Sequence, residues 1–199
     1  MNDILQETIF RIASKEDAKS INDISKNELG YSDCTESLVL QKIQKIDFEN
    51  EVVFVAEYKK KVIGFIHAHI YDVLYYESMV NILGLAVDSK FTKNGIGKSL
   101  MAKVEEWAKS KNIQLIRLNS GGTRTQAHNF YRNIGFSDEK TQLRFMKSLL
   151  KKNNSRIKFG NDSCDFFHKL CNFFLEHFSN SLECNCYSRN KKCNCKNKL

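Results

Sequence analysis

Proline is missing altogether. Average usage would place about ten in a chain of this length, and this one has none in 199 residues, so no proline-marked linker divides it. With the visible richness in Asn, Lys and Ile, the lack reads as compositional bias without functional content. Long apolar runs are missing too: nothing approaches the ~20 residues of a membrane span, so no membrane span is expected. The opening Met1-Asn2-Asp3-Ile4-Leu5-Gln6-Glu7 has no basic segment followed by an apolar core, which leads to the expectation of a protein without a secretory leader, in the cytoplasm. Internal repeats are absent. A dense cationic patch is missing where it would matter. The net charge is +8, yet residues 148–199 hold ten Lys or Arg against four acids, which leaves +2 for the first 147 residues. A nucleic-acid groove needs clustered cations, so no nucleic-acid partner is expected.

Cysteine is nearly absent from the same stretch. Cys34 stands alone there, while Cys164, Cys171, Cys184, Cys186, Cys193 and Cys195 follow later. In a reducing compartment these are thiols or metal ligands. The Cys184-Asn185-Cys186 and Cys193-Asn194-Cys195 pairs offer four thiolates that suit zinc, but they are tighter than a Cys-x-x-Cys knuckle, and a disordered basic tail is the favoured reading over a metal site. Before them, Phe167, Leu170, Phe174 and Phe178 keep helical spacing, so an amphipathic helix is expected over about 163–182.

What is present begins with alternation. Ile9-Phe10-Arg11-Ile12-Ala13 reads as a strand, and Ser14 with Asp17 three positions on resembles a capping pair. A helix should follow to about Leu29, with Ala18, Ile21 and Ile24 on one face and Gly30 as its stop. A second helix is expected over Ser37 to Ile46. The β-branched runs Val52 to Glu57 and Val62 to Ala68, joined by a polar turn, read as a hairpin. A variable segment, Tyr71 to Met79, leads to a buried strand from Asn81 to Val87. Leu100, Met101, Val104, Trp107 and Ala108 form one stripe of a helix from about Gly97 to Lys111. A strand over Gln114 to Ser120, a helix over Thr125 to Ile134 and a last strand near Leu143 to Lys147 complete an α/β order.

The junction Val87-Asp88-Ser89-Lys90-Phe91-Thr92-Lys93-Asn94-Gly95-Ile96-Gly97-Lys98-Ser99-Leu100 runs a strand through a glycine-bearing loop into that helix. A helix start leaves backbone N–H groups unpartnered and carries partial positive charge, so an anionic phosphate is favoured there. A P-loop would need glycine where Thr92 stands, and a dinucleotide fingerprint would need a small residue where Leu100 stands. Neither fits.

Thr92 to Gly97 resembles the acyl-CoA pyrophosphate loop of the GNAT N-acetyltransferases, Gln/Arg-x-x-Gly-x-Gly/Ala, at both glycines; it departs at Thr92. Arg124-Thr125-Gln126-Ala127-His128-Asn129-Phe130-Tyr131-Arg132-Asn133-Ile134-Gly135-Phe136 resembles the second motif of that family, Asn-x-x-Ala-x-x-Phe-Tyr-x-x-x-Gly-Phe, with Arg124 in place of Asn. The resemblance spans about Ile9 to Lys147, and its motif style is nearest to small-amine acetyltransferases such as the aminoalkylphosphonate N-acetyltransferases. It implies a GNAT domain over 1–150, with a mixed sheet of about six to seven strands, splayed at its centre and flanked by about four helices. A basic Phe- and Cys-rich extension over 151–199 follows.

The same resemblance implies acetyl-CoA as cosubstrate, transferred to the primary amine of a small molecule by direct attack. Main-chain groups at Leu85, Ala86 and Val87 would meet the thioester and pantetheine. Lys93, Asn94, Gly95, Ile96, Gly97, Lys98 and Ser99 would hold the pyrophosphate, and Arg124 a phosphate. Tyr131 would protonate the departing thiolate. Tyr31, Tyr76 and Glu77 would line the acceptor site. The proton acceptor for the amine stays open among His67, His69, Glu77, His128 and a water chain, because Gly84 stands near the place of the usual Glu. An acyl-CoA-binding module without catalysis, and a peptide N-terminal acetyltransferase, are the alternatives; a homodimer is left open.

Overall fold

A computed structural model describes residues 3–137 and 140–149. The chain divides into two compact units, Met1–Gln142 and Leu143–Leu199. In the first, a short helix α1 (Asp3–Gln6) leads into strand β1 (Ile9–Ile12), followed by helices α2 (Ala18–Leu29) and α3 (Glu36–Ile43). Strands β2 (Glu51–Tyr58), β3 (Lys61–Val73) and β4 (Tyr76–Val87) run consecutively, and helix α4 (Ile96–Ser110), strand β5 (Ile116–Leu118) and helix α5 (Thr125–Asn133) close the unit. The strands form one sheet in the order β1-β2-β3-β4-β5, antiparallel except for the parallel β4–β5 pair.

Alternation along the strands sorts the core into two layers, as period-two side chains must. Ala56, Ile63, Ile66, Ala68, Val80 and Ile82 meet Ile96, Leu100, Met101, Val104 and Ala108 of α4 on one face. Val53, Val55, Val62, Phe65 and Ala86 meet Ile21 and Ile24 of α2, with Val39 and Ile43 of α3, on the other. Each fully buried aliphatic side chain here is worth about 1.5–3 kcal/mol of transfer free energy. Gly64 permits the close approach of β3, β4 and α4: a Cβ there would lie 3.0 Å from the Ala86 carbonyl and 3.2 Å from Val87 Cγ2.

At the mouth of the second layer, Arg11 donates to both Asp17 carboxylate oxygens (2.7 and 2.8 Å) and to Glu57 (2.8 Å). Asp17 is 5% exposed and also receives the Ser14 N–H at 2.7 Å. The expected Ser14/Asp17 cap thus forms at the helical start, and it ties β1, β2 and α2 together.

Five strands and five α-helices stand among the described residues, so the sheet is narrower than the six to seven strands expected. The strand expected near Leu143 to Lys147 does not form: residues 140–149 carry neither helix nor strand. Leu143, Phe145 and Met146 are each 80% or more exposed, so these apolar side chains make no buried strand face. The segment Tyr71 to Met79 is not a variable loop. It is the far end of the β3–β4 hairpin, whose ladder continues through Tyr71↔Met79 to Val73↔Tyr76. The expected helix at about 163–182 and the Cys-x-Cys pairs lie outside the described residues.

Candidate active site

The β4–α4 junction presents backbone amides that no side chain caps. Lys93 and Gly95 both take left-handed backbone, with φ of +63° and +82°, so the chain doubles back before entering α4. Gly95 is the N-cap, and no side chain caps the helix. The first intrahelical bond runs from Ser99 N–H to the Gly95 carbonyl at 3.0 Å, which leaves the amides of Ile96, Gly97 and Lys98 without intrahelical partners. Ile96, 1% exposed, anchors this end in the core. Thr92 at the departing motif position turns its hydroxyl back onto the Ser89 carbonyl (2.9 Å), so it closes the preceding turn.

The strand leading into this loop is interrupted where chemistry would occur. His67 pairs with Gly84 but Ala68 pairs with Ile82, so Leu83 is the extra residue of a β-bulge. On the other side, β5 pairs with β4 only from Val80 to Ile82. Beyond the bulge the β5-facing edge of β4, through Leu85, Ala86 and Val87, has no strand partner among the described residues. Its backbone groups are therefore available to a pantetheine arm, and this edge leads directly to the α4 N-terminus. A free β4 edge ending at an uncapped glycine-led helix fits the cosubstrate implied by the motifs.

On the α2–α3 face, a cavity of about 480 Å³ opens at the bulge. Leu83 and Gly84 of β4 form one wall, with Phe65 and His67 of β3; Leu29, Leu38 and the loop Gly30-Tyr31-Ser32-Asp33-Cys34 form the other. A Cβ at Gly84 would meet only Leu29 Cδ1 (3.8 Å) and Phe65 Cε2 (4.0 Å), so a larger side chain would fill the cavity. Among its lining residues Asp33 is the one carboxylate.

Among the described residues, His67 is the one histidine on the cavity wall. His67 Nε2 lies 2.5 Å from Glu51 Oε1. Further along β3, His69 Nε2 contacts Asn81 Nδ2 at 3.2 Å, and Asn81 Oδ1 accepts from Arg117 at 3.0 Å. Burial pushes the His69 imidazole below its ordinary pKa, and Coulombic repulsion from His67 and Arg117 adds to this, against an opposing pull from Glu51.

Helix α5 packs against the start of α4 through Phe130: a Cβ at Gly97 would lie 3.4 Å from Phe130 Cζ. The next residue, Tyr131, stacks edge-to-face on Phe130 (5.3 Å) and Phe136 (5.6 Å). No hydrogen bond reaches its hydroxyl among the described residues. Burial raises the Tyr131 pKa, with Arg124 opposing, so the phenol stays protonated at neutral pH and can act as a donor. Arg124 itself donates to the Leu29 carbonyl at 2.8 Å, and Glu28 accepts from the Ser89 N–H at 2.9 Å. The end of α2 is thus tied to both motif segments.

The structure brings Leu85 to Val87, Lys93 to Ser99 and Arg124 with Tyr131 to one side of the sheet opening, and places Tyr31 on the cavity. It does not bring Tyr76 and Glu77 there. Tyr76 is 61% exposed at the hairpin end, and Glu77 lines a separate cavity of about 350 Å³ with Gln114 and Leu115. Seven or eight residues of β4 separate them from Gly84, about 25 Å at ~3.3 Å per residue. His128, on α5, bonds the Gly121 carbonyl of the preceding loop at 3.1 Å. Asp33 and Glu51 were not among the expected site residues. Asp33 had a signal in the Gly30-Tyr31 loop that lines the cavity; Glu51 had none, because its partner is 16 positions away on another strand.

A family model, the Acetyltransferase (GNAT) family, matches residues 18–136, and the chain belongs to that family. Membership makes it an acetyl-CoA-dependent acyltransferase. No curated protein sequence matches the chain. Among solved structures it is similar to a transcriptional regulator from Bacillus halodurans C-125 (22% identity, TM-score 0.63, covering 70% of this chain and 99% of that one). It is also similar to the aminoglycoside acetyltransferase meta-AAC0020 from an uncultured soil metagenomic sample, in complex with trehalose (22%, 0.63, 74% and 99%). A third likeness is to AAC(6')-Iy in complex with the bisubstrate analog CoA-S-monomethyl-acetylneamine (20%, 0.61, 71% and 98%). At these identities the shared property is the fold.

Proposed function

We propose that the chain transfers the acetyl group of acetyl-CoA to the primary amine of a small molecule held in the cavity at the β4 bulge. The observation that carries this reading is the position of that cavity. It opens onto Leu83 and Gly84, on the strand whose free edge ends at the uncapped start of α4. An acceptor nitrogen there and a thioester along Leu85 to Val87 would share the splayed opening.

Positioning then does most of the work, since two bound reactants need no further translational ordering. A main-chain N–H of the Leu85–Val87 edge would polarise the thioester carbonyl as negative charge develops on it. The amine attacks directly, the carbon–sulfur bond breaks, and Tyr131 supplies a proton to the sulfur. Asp33 gives an ammonium substrate its counter-charge, while Leu29, Leu38, Phe65 and Leu83 accept an apolar body. Aminoglycoside acetyltransferases among the structural neighbours support a small-molecule acceptor. The reading implies a compartment supplied with acetyl-CoA, the cytoplasm.

Thiol release from acetyl-CoA, measured across aralkylamines, polyamines, aminophosphonates, aminoglycosides, amino acids and peptides, tests it. Turnover with small amines is expected. Turnover with peptides alone would overturn the acceptor class, and thermal stabilisation by acetyl-CoA without any turnover would replace catalysis with binding.

A further inference from the structure

An amine that enters the cavity at neutral pH is an ammonium ion, and it cannot attack until it loses a proton. Gly84, on the cavity wall, has no side chain to take that proton. Its cross-strand partner is His67, which lines the same cavity. We propose that His67, oriented by Glu51, is the group that deprotonates the acceptor; this rests on the cavity being the acceptor site.

Glu51 opens β2 and His67 lies diagonally across from it on β3, where Val53 is its direct partner. Side chains on one face at such positions are within reach of each other. The 2.5 Å contact between Glu51 Oε1 and His67 Nε2 fixes the tautomer, because a carboxylate can only accept: the proton sits on Nε2. The Nδ1 lone pair is then free, with no partner among the described residues. A carboxylate that orients an imidazole and compensates the charge it acquires is the arrangement that makes histidine an effective base.

The proton balance closes. R–NH3+ gives one proton to Nδ1, and the free amine forms the C–N bond at the thioester carbon. As the C–S bond breaks, the thiolate takes a proton from Tyr131, which is restored from the nitrogen as the amide forms. The His67 imidazolium, on a side chain 30% exposed, returns its proton to water.

Other groups are worse placed. Asp33 is on the cavity but exposed and receives no orienting hydrogen bond among the described contacts. His69 does not line the cavity and is engaged by Asn81. The ionisable groups beside His67 are Glu51, which contacts it from β2, and His69 on its own strand, with which it interacts electrostatically. Tyr31, Asp33 and Cys34 face it from the loop, whereas α2 and α3 present only Ser25, Leu29 and Leu38.

The test compares the full chain with His67→Gln and Glu51→Gln, using the panel amine that wild type turns over fastest, from about pH 6 to about pH 9.5. His67→Gln is expected to lower kcat about 100-fold at neutral pH and to leave the KM for acetyl-CoA unchanged. Its remaining rate should climb about tenfold per pH unit with the free-amine fraction, where wild type levels off. Glu51→Gln is expected to lose about tenfold. Calorimetric binding of acetyl-CoA shows whether each variant is folded; should His67→Gln not fold, the Glu51→Gln loss carries the test. Wild-type kcat and pH profile in the folded variant would overturn the assignment to His67. Absence of turnover by wild type with every panel amine would instead overturn the acceptor reading, and the assignment with it.

Discussion

Replacing Gly95 and Gly97 one at a time by alanine separates the two roles glycine can have at the α4 start. Gly95 has φ +82°, and a Cβ would lie 3.3 Å from Leu5 Cδ2. An L-residue in left-handed backbone costs about 1–2 kcal/mol; Leu5 Cδ2 is the end of a flexible side chain on a four-residue helix, so it can give by a few tenths of an ångström and adds little. At about 2–4 °C per kcal/mol for a domain of this size, Gly95→Ala should lower Tm by about 2–8 °C. The strain also falls on the residue that aims the Ile96, Gly97 and Lys98 amides. Losing one charge-assisted hydrogen bond, about 1.5–3 kcal/mol, weakens acetyl-CoA binding about 10- to 100-fold. Gly97 is helical, and its added Cβ would meet Phe130 at 3.4 and 3.5 Å and Val87 at 3.9 Å, which is ordinary contact. Gly97→Ala should keep affinity within about threefold and hold or raise Tm, because alanine is the better helix former by about 1 kcal/mol. Differential scanning and titration calorimetry read both quantities. The reverse order, with Gly97→Ala impaired and Gly95→Ala binding as wild type, would refute the assignment of cap and contact.

Three further outcomes are expected. Tyr131→Phe should lower kcat about 100-fold with unchanged acetyl-CoA affinity, measured by thiol release and calorimetry; an unchanged kcat would remove the phenol from proton transfer. Asp33→Asn should raise the amine KM about tenfold, the worth of one exposed charge-assisted contact, with little effect on kcat. Arg11→Met should cost about 2 kcal/mol, less than a fully buried pair because Arg11 is about one-third exposed. Burial alone would raise the Asp17 carboxyl, but hydrogen bonds from Arg11 and Ser14 outweigh it and hold the group below its ordinary pKa. That stabilisation is complete above the unfolded carboxylate range near ~3.9 and is lost as pH falls through the lower folded value. Thermal melts should therefore show a wild-type advantage at neutral pH that closes in acid; a gap independent of pH would contradict the ion-pair account.

Local signals made the cosubstrate half of the site legible. Gly95 and Gly97 stand at the head of an amphipathic helix, and Phe130-Tyr131 in the next, close in sequence to the groups they are proposed to act with. The acceptor half was not legible in the same way. Glu51 and His67 meet because a hairpin register sets them diagonally, and Arg124 finds the Leu29 carbonyl 95 positions away. The bulge at Leu83 follows from a one-residue shift that no side chain announces. The family resemblance put Tyr76 and Glu77 at the acceptor site, but the sequence does not show where a long hairpin ends, and β4 carries them well beyond the opening. A strand near Leu143 would have completed the expected order, but a strand also needs a partner and a buried face.

On the proposed function, the main-chain amides at the start of α4 hold the pyrophosphate of acetyl-CoA. Titration calorimetry of the full chain with acetyl-CoA and with S-acetylpantetheine, which lacks the pyrophosphate and nucleotide, tests it most directly. Acetyl-CoA should bind at least about 100-fold more tightly, the worth of one or two charge-assisted hydrogen bonds. Equal affinity for the two thioesters, or no heat with acetyl-CoA at millimolar concentration, would contradict it.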